Sequence, residues 1–367
     1  MGTGPAFTAV ADCWRQRVDS QQEYQVIRDG NIFATGFADS YLFNSEHARA
    51  VRLKQTLSEH HTGRSLEEVF CGAEIETPFG SCYRIASREP MNLQIPDPHL
   101  VRDLLFADLT LVRGIGPKTE TSLRRRGYRT LHDLCSHHRF RAGARGALSV
   151  LNRSDPGEMI RMLTHRYPSS HPRIFGISSL HAIEDFLFFD IETLGLFSRP
   201  IILFGAGRIA GDTIEVCQYL LRDIGEEEAA IIETCAHFRQ GATALVTFNG
   251  RSFDLPYFND RRAYYGHEGL AGIPHYDLLH FARRRWKHEL PDCRLQTLEQ
   301  MMSGKRRTDD VPSAMVPEFY ASYLETGNPG PLIPIVEHNR QDVVTLARLF
   351  QRLHEEWYGN LRSPACT

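Results

Sequence analysis

The chain has no Cys-x-x-Cys pair: its eight cysteines, Cys13, Cys71, Cys82, Cys135, Cys217, Cys235, Cys293 and Cys366, are scattered. Such spacing indicates neither a zinc knuckle nor a compact disulfide framework, and a reducing compartment is the simplest setting. No apolar run approaches the roughly 18 residues of a membrane span. Met1 to Val10 lack the basic head and apolar stretch of a secretory signal, so the expectation is a cytoplasmic protein with no membrane contact. Net charge is small as well. A balance of −3 excludes a surface that attracts polyanions everywhere. Gly205, Gly207 and Gly211 fall between two strand-like runs with no helix after the turn, which excludes a dinucleotide fingerprint.

What is present is an ordinary globular composition, 42% hydrophobic and 24% charged over 367 residues, long enough for two domains or more. The small net charge hides an asymmetry. Residues 101 to 150 carry Arg102, Arg113, Lys118, Arg124, Arg125, Arg126, Arg129, Arg139, Arg141 and Arg145 against Asp103, Asp108, Glu120 and Asp133. Within them, Gly114-Ile115-Gly116-Pro117-Lys118-Thr119 separates two helical patterns. Glycines there let the backbone approach a phosphate, helix-start amides can donate to it, and Lys118 adds charge. Such a grip reads phosphates and not bases. The bland alternative is a packing module whose Arg124-Arg125-Arg126 run is a solvated face.

The most informative residues are four acids and a histidine. Asp190-Ile191-Glu192 closes the apolar run from Phe186 to Phe189, and in a strand both carboxylates share one face. Asp254 follows Asn249-Gly250, which breaks the strand-like run Ala244 to Thr247 and opens a helix. His338 and Asp342 stand four apart in a helical pattern and so stack on one face. Taken singly, Asp254 also suits a helix cap, and the His338/Asp342 pair a solvated face. Taken together, carboxylates are hard ligands for Mg²⁺ or Mn²⁺, and two ions roughly 3.5–4 Å apart can clamp a phosphoryl displacement. A neutral imidazole beside them can take the proton of an attacking water.

Asp190-x-Glu192-Thr193, Asn249 through Phe253-Asp254, and His338-x-x-x-Asp342 resemble the three motifs of the DEDD superfamily of 3′-to-5′ exonucleases, which has a ribonuclease-H-like fold. The YprB-like branch of that superfamily is resembled by Tyr276-Asp277-Leu278-Leu279, Arg284-Arg285-Trp286-Lys287 and Cys293 to Glu299, the likeness covering roughly residues 183 to 355. It implies an α/β fold, a ribonuclease-H-like mixed sheet flanked by helices. It also implies that Asp190, Glu192, Asp254 and Asp342 hold two metal ions, with His338 at the general-base position and the product a nucleoside 5′-monophosphate. Thr193 and Leu194 are placed by the same likeness near the terminal nucleotide, and Asn249 is expected to contact the nucleic acid. One departure stands out. The histidine subgroup has its base five residues before the last Asp, where this chain has Glu337, and His338 sits at the tyrosine-type spacing, about 100° away around a helix. The Gly114 to Thr119 stretch resembles a helix-hairpin-helix, which implies that Gly114, Gly116, Lys118 and Thr119 contact the DNA backbone.

The expected organisation is an α+β region of unassigned role at 1–100, a smaller helical helix-hairpin-helix region at 101–150, a loop-rich connector with one helix at 151–182, and the ribonuclease-H-like domain at 183–358. The expected activity is metal-dependent 3′-5′ exonuclease cleavage of DNA at a single-stranded or duplex 3′ end, with RNA and the identity of any protein partner left open. Two alternatives remain: a non-catalytic DNA-binding protein with a degenerate nuclease fold, and a structure-specific endonuclease. A strand at Tyr24 to Ile27, a hairpin around Pro78-Phe79-Gly80 and a structural cap at Asp277 are also expected. For Lys305-Arg306-Arg307, offset by Asp309-Asp310, no role is expected.

Overall fold

The computed structural model describes residues 37–195, 199–239, 244–270, 272–304, 307 and 311–359. The strand expected at Tyr24 to Ile27 lies outside them. Among the described residues, seven strands form one mixed sheet in the order β1-β2-β5-β4-β3-β6-β7: β1 Ala73–Thr77, β2 Gly80–Pro90, β3 Phe186–Thr193, β4 Ile201–Ala210, β5 Thr213–Leu220, β6 Ala244–Thr247 and β7 His275–Asp277. The β3/β6 and β6/β7 pairs are parallel and the others antiparallel.

The hairpin expected around Pro78-Phe79-Gly80 is β1/β2, with Thr77 opposite Gly80. It does more than pack, because β2 runs on to Pro90 and pairs with β5 from Tyr83↔Leu220 to Pro90↔Thr213. Part of the N-terminal region is thus the edge of the central sheet. Ahead of it come α1 Phe37–His60 and α2 Leu66–Phe70.

Between β2 and β3 lies a run of helices: α3 Pro98–Phe106, α4 Pro117–Arg125, α5 Leu131–Leu134, α6 Arg141–Arg153, α7 Pro156–Thr164 and α8 Pro172–Gly176. The stretch expected to be a loop-rich connector is therefore mostly helical. Its prolines mark helix starts: Pro156 and Pro172 open their helices behind the capping side chains of Asp155 and His171. Proline is tolerated there because its missing N–H has no helical acceptor to serve.

The remaining helices are α9 Glu227–Arg239, α10 Asp254–Tyr264, α11 Leu278–Trp286, α12 Leu295–Ser303, α13 Val316–Thr326 and α14 Ile333–Tyr358. They flank a sheet buried on both faces, as α/β layering requires. Along β3 the side chains alternate. Phe186 and Phe188 join the core shared with α14 and the helices of 98–176, whereas Leu187, Phe189 and Ile191 join the core under α9, α10 and α13. Asp190 and Glu192 have the parity of Phe188, so both acids lie on the α14 face. Among the described residues, no helix is long and apolar enough to cross a membrane.

Candidate active site

Three segments meet where β3 and β6 end. β3 carries Asp190 and Glu192. The chain leaves β6 through a turn in which Asn249 adopts φ +65°, and α10 then starts at Asp254. Asp277, at the end of β7, holds that turn: it accepts from the N–H groups of Asn249 at 2.8 Å and Arg251 at 3.1 Å, and caps α11 through Leu279 N–H at 3.2 Å. The structural cap expected of Asp277 is observed, and it also fixes the approach to Asp254. α14 supplies His338, Asn339 and Asp342.

These groups face one another. Asp254 Oδ1 accepts from Ile191 N–H at 3.3 Å, between the two acids of β3. His338 Nε2 is 3.4 Å from Asp342 Oδ2 and 3.8 Å from Glu192 Oε1. Glu337 turns away to Arg340 and to Gln341 Nε2, the latter at 2.6 Å. Of the two positions that could supply a base, the structure brings His338 to the acids. Thr193 closes β3 with its hydroxyl donating to Gly195 O at 2.8 Å.

The electrostatics are those of crowded like charges. Burial, then the charges of Asp342, Asp254 and Glu192, push the Asp190 carboxyl well above the usual range, with His338 acting in the opposite sense. Burial pushes Asp254 up to about 7; the Asp277 and Glu192 charges add to this, and backbone hydrogen bonds, including that from Ile191, oppose it. Two of the acids are turned to protein partners: Asp190 Oδ2 accepts from Asn339 Nδ2 at 2.8 Å, and Asp342 Oδ1 meets Arg307 Nη2 at 2.6 Å. Among the described residues, no three His, Cys, Asp or Glu side chains stand as a ready-made metal-binding group. The donor set nonetheless fits a hard divalent cation, since converging carboxylates that repel one another are stabilised by positive charge.

Sequence reasoning missed three participants. Arg307, expected to have no role, is 9% exposed at the side chain and bridges Asp342 and Glu299, each at 2.6 Å. Asn339 and Gln218 are both fully buried. A signal for each was present. Asn339 sits in the apolar stripe Val336, Asn339, Val343 of α14, and Gln218 shares the inward parity of Ile214 and Val216 on β5. A polar residue in such a stripe needs a buried partner.

In the helical region, Leu109–Leu111 forms a single 3-10 turn and Gly114 takes φ +90°, a conformation that favours glycine. Ile115 is buried, Gly116 is the extended N-cap, and Pro117 opens α4, so the amides of Lys118 and Thr119 have no helical carbonyl ahead of them. Lys118, Arg125, Arg126, Arg129, Arg139, Arg141 and Arg145 are exposed around this turn.

Residues 187–354 match the RNase_H superfamily. The chain therefore carries an RNase H-like domain, a nuclease-type fold. The uncharacterized protein YprB of Bacillus subtilis (strain 168) is 33% identical over 187 residues, a span of 49% of this chain and 45% of that protein. The chain thus spans less than half the length of the curated relative it matches.

Proposed function

We propose that this chain is a divalent-metal-dependent nuclease that removes nucleotides from the 3′ end of DNA. The observation that carries the reading is the convergence of Asp190, Glu192, Asp254 and Asp342, acids from three segments gathered beside His338 at the end of β3. These four carboxylates would hold two Mg²⁺ or Mn²⁺ ions, which when bound polarise the phosphoryl group and stabilise charge on the leaving oxygen. His338, with Nε2 toward Glu192 and Asp342, has the position to accept a proton from water. Thr193 and Asn249, at the ends of β3 and β6, would lie against the terminal nucleotide.

Substrate approach would be served by the exposed basic turn of the helical region, with Gly114, Gly116, Lys118 and Thr119 gripping phosphates without reading bases. DNA is preferred over RNA because the turn resembles a duplex-gripping device. The test is cleavage of end-labelled single- and double-stranded DNA and RNA with Mg²⁺ or Mn²⁺ and an EDTA control, alongside a circular single strand. Stepwise loss of 3′ nucleotides from linear DNA, with the circle intact, is expected. A cut circle replaces the terminal mechanism with an internal one, and no metal-dependent cleavage of any substrate overturns the reading.

A further inference from the structure

The β3–β4–β5 ladder aligns Asp190, Gly205 and Gln218 in one row across the sheet. Helix α14 lies over this row, and Asn339 fills the space above Gly205. A Cβ added at Gly205 would meet Asn339 Oδ1 at 2.3 Å and its Cγ at 2.9 Å. The next inward row repeats the device with an apolar plug: Phe188, Gly207 and Val216 align, and a Cβ at Gly207 would meet Val343 Cγ1 at 2.4 Å. Two glycines on one strand thus form two sockets for side chains one helical turn apart.

The polar socket has a direction. Gln218 Nε2 donates to Val336 O at 2.9 Å and to Asn339 Oδ1 at 2.8 Å. With its oxygen so engaged, the Asn339 amide must turn Nδ2 toward β3, where it donates to Asp190 Oδ2 at 2.8 Å and to Asp190 O at 3.3 Å. Flipping the amide would forfeit the Gln218 bond and set an oxygen against a carboxylate. A donor that bridges the carboxylate and backbone carbonyl of one residue stops that side chain from rotating. Without it, Asp190 would swing away from Asp254, Glu192 and Asp342, whose charges it opposes.

We propose that Asn339, braced by Gln218 and seated on Gly205, is the positioning residue that holds Asp190 in its metal-binding orientation. This rests on the metal-site reading above. Groups that orient a metal ligand in this way are worth about 10- to 100-fold in metal affinity, so the readout is binding itself. Mn²⁺ is titrated into the protein without nucleic acid and free Mn²⁺ is followed by its electron paramagnetic resonance signal, with a melting curve in EDTA for each variant.

Asn339→Leu is expected to weaken Mn²⁺ binding at least tenfold, and Gln218→Met to weaken it less. Val343→Ala, which empties the neighbouring socket, should lower the melting temperature yet keep Mn²⁺ affinity within about twofold. Wild-type affinity in both Asn339→Leu and Gln218→Met overturns the inference, as does an equal loss in Val343→Ala, which would make the effect one of helix packing. If Asn339→Leu does not fold, Gln218→Met and Val343→Ala decide on the same terms. A wild-type protein that holds no Mn²⁺ overturns the metal-site reading, and the inference with it.

Discussion

The helical region and the acid edge of the sheet handle charge in opposite ways. Around Gly114 and Gly116 the cations are exposed, and Arg124 pairs with Glu120 one helical turn away. Such charges act as a field, screened by salt over about 10 Å, and each alone is worth little. At the acid edge the charges come from segments far apart in sequence and are gathered within protein, where burial first and neighbouring carboxylates second raise the Asp190 and Asp254 carboxyls. Single residues there should matter far more than single residues in the basic region. Yet the two are not separate bodies: Leu123, Leu131, Phe175, Phe188 and Phe350 belong to one continuous hydrophobic core.

The largest effect expected is at the acid edge. Asp190→Asn should lower metal-dependent cleavage by about a thousandfold or more, about 4 kcal/mol of barrier, while nucleic-acid affinity in EDTA changes by less than about twofold. Filter binding and a cleavage time course measure the two. If binding fell as far as cleavage, the division of labour between the regions would be lost.

Phe175→Ala tests whether the regions share a foundation. Its ring lies in a cluster with Phe281, Phe350, His354 and Trp357, joining α8 to α11 and α14. A fully buried Phe truncated to Ala costs about 3–5 kcal/mol. Chemical denaturation should give a single transition shifted by that amount. Two transitions, with the nuclease half unmoved, would make the helical region an independent unit.

The contrast also governs what could be read from sequence. The strands through Phe186 to Glu192 and Ala244 to Thr247 were legible because apolar runs are local, and they are observed as β3 at Phe186–Thr193 and β6 at Ala244–Thr247. The acid motifs were legible for the same reason, each being a short pattern. What escaped depends on neighbours brought in by topology. Pro156 and Pro172 look like loop residues until their helices are seen behind them. Gly205 and Gly207 have no meaning until α14 lies across β4. Arg307 looked neutralised by nearby acids, but it pairs with Asp342 and Glu299 instead.

A smaller effect separates buried repulsion from simple packing. The Asp254 carboxyl titrates at about 7 in the folded chain against 3.8 when unperturbed. The folded state then holds the proton more tightly than the unfolded one, so stability falls as pH rises through this window, and the loss is complete above it. Buried His275 and His354, held down to about 3, act oppositely and lose stability below the usual imidazole range. The difference between wild type and Asp254→Asn removes their contribution. In EDTA at pH 8 the variant should melt higher by a few degrees, at roughly 2–4 °C per kcal/mol, because Asn still accepts from Ile191 N–H without adding charge. The gap should close toward pH 4, and a variant that melts lower at pH 8 would remove the like-charge account.

The smallest expected effect belongs to the exposed region. Lys118 is one cation among many around the turn, so Lys118→Ala should weaken DNA binding only several-fold, alike for every sequence. Its signature lies in the salt dependence. With one cation fewer against the phosphates, binding releases one counterion fewer, so the slope of log affinity against log salt should flatten by about one unit. Anisotropy titrations at four salt concentrations on two unrelated duplexes give that slope directly. An unchanged slope would make Lys118 a solvated side chain, and a weakening confined to one duplex would mean that the turn reads bases. Either result would dissolve the contrast between a diffuse basic grip and a sharply defined acid centre.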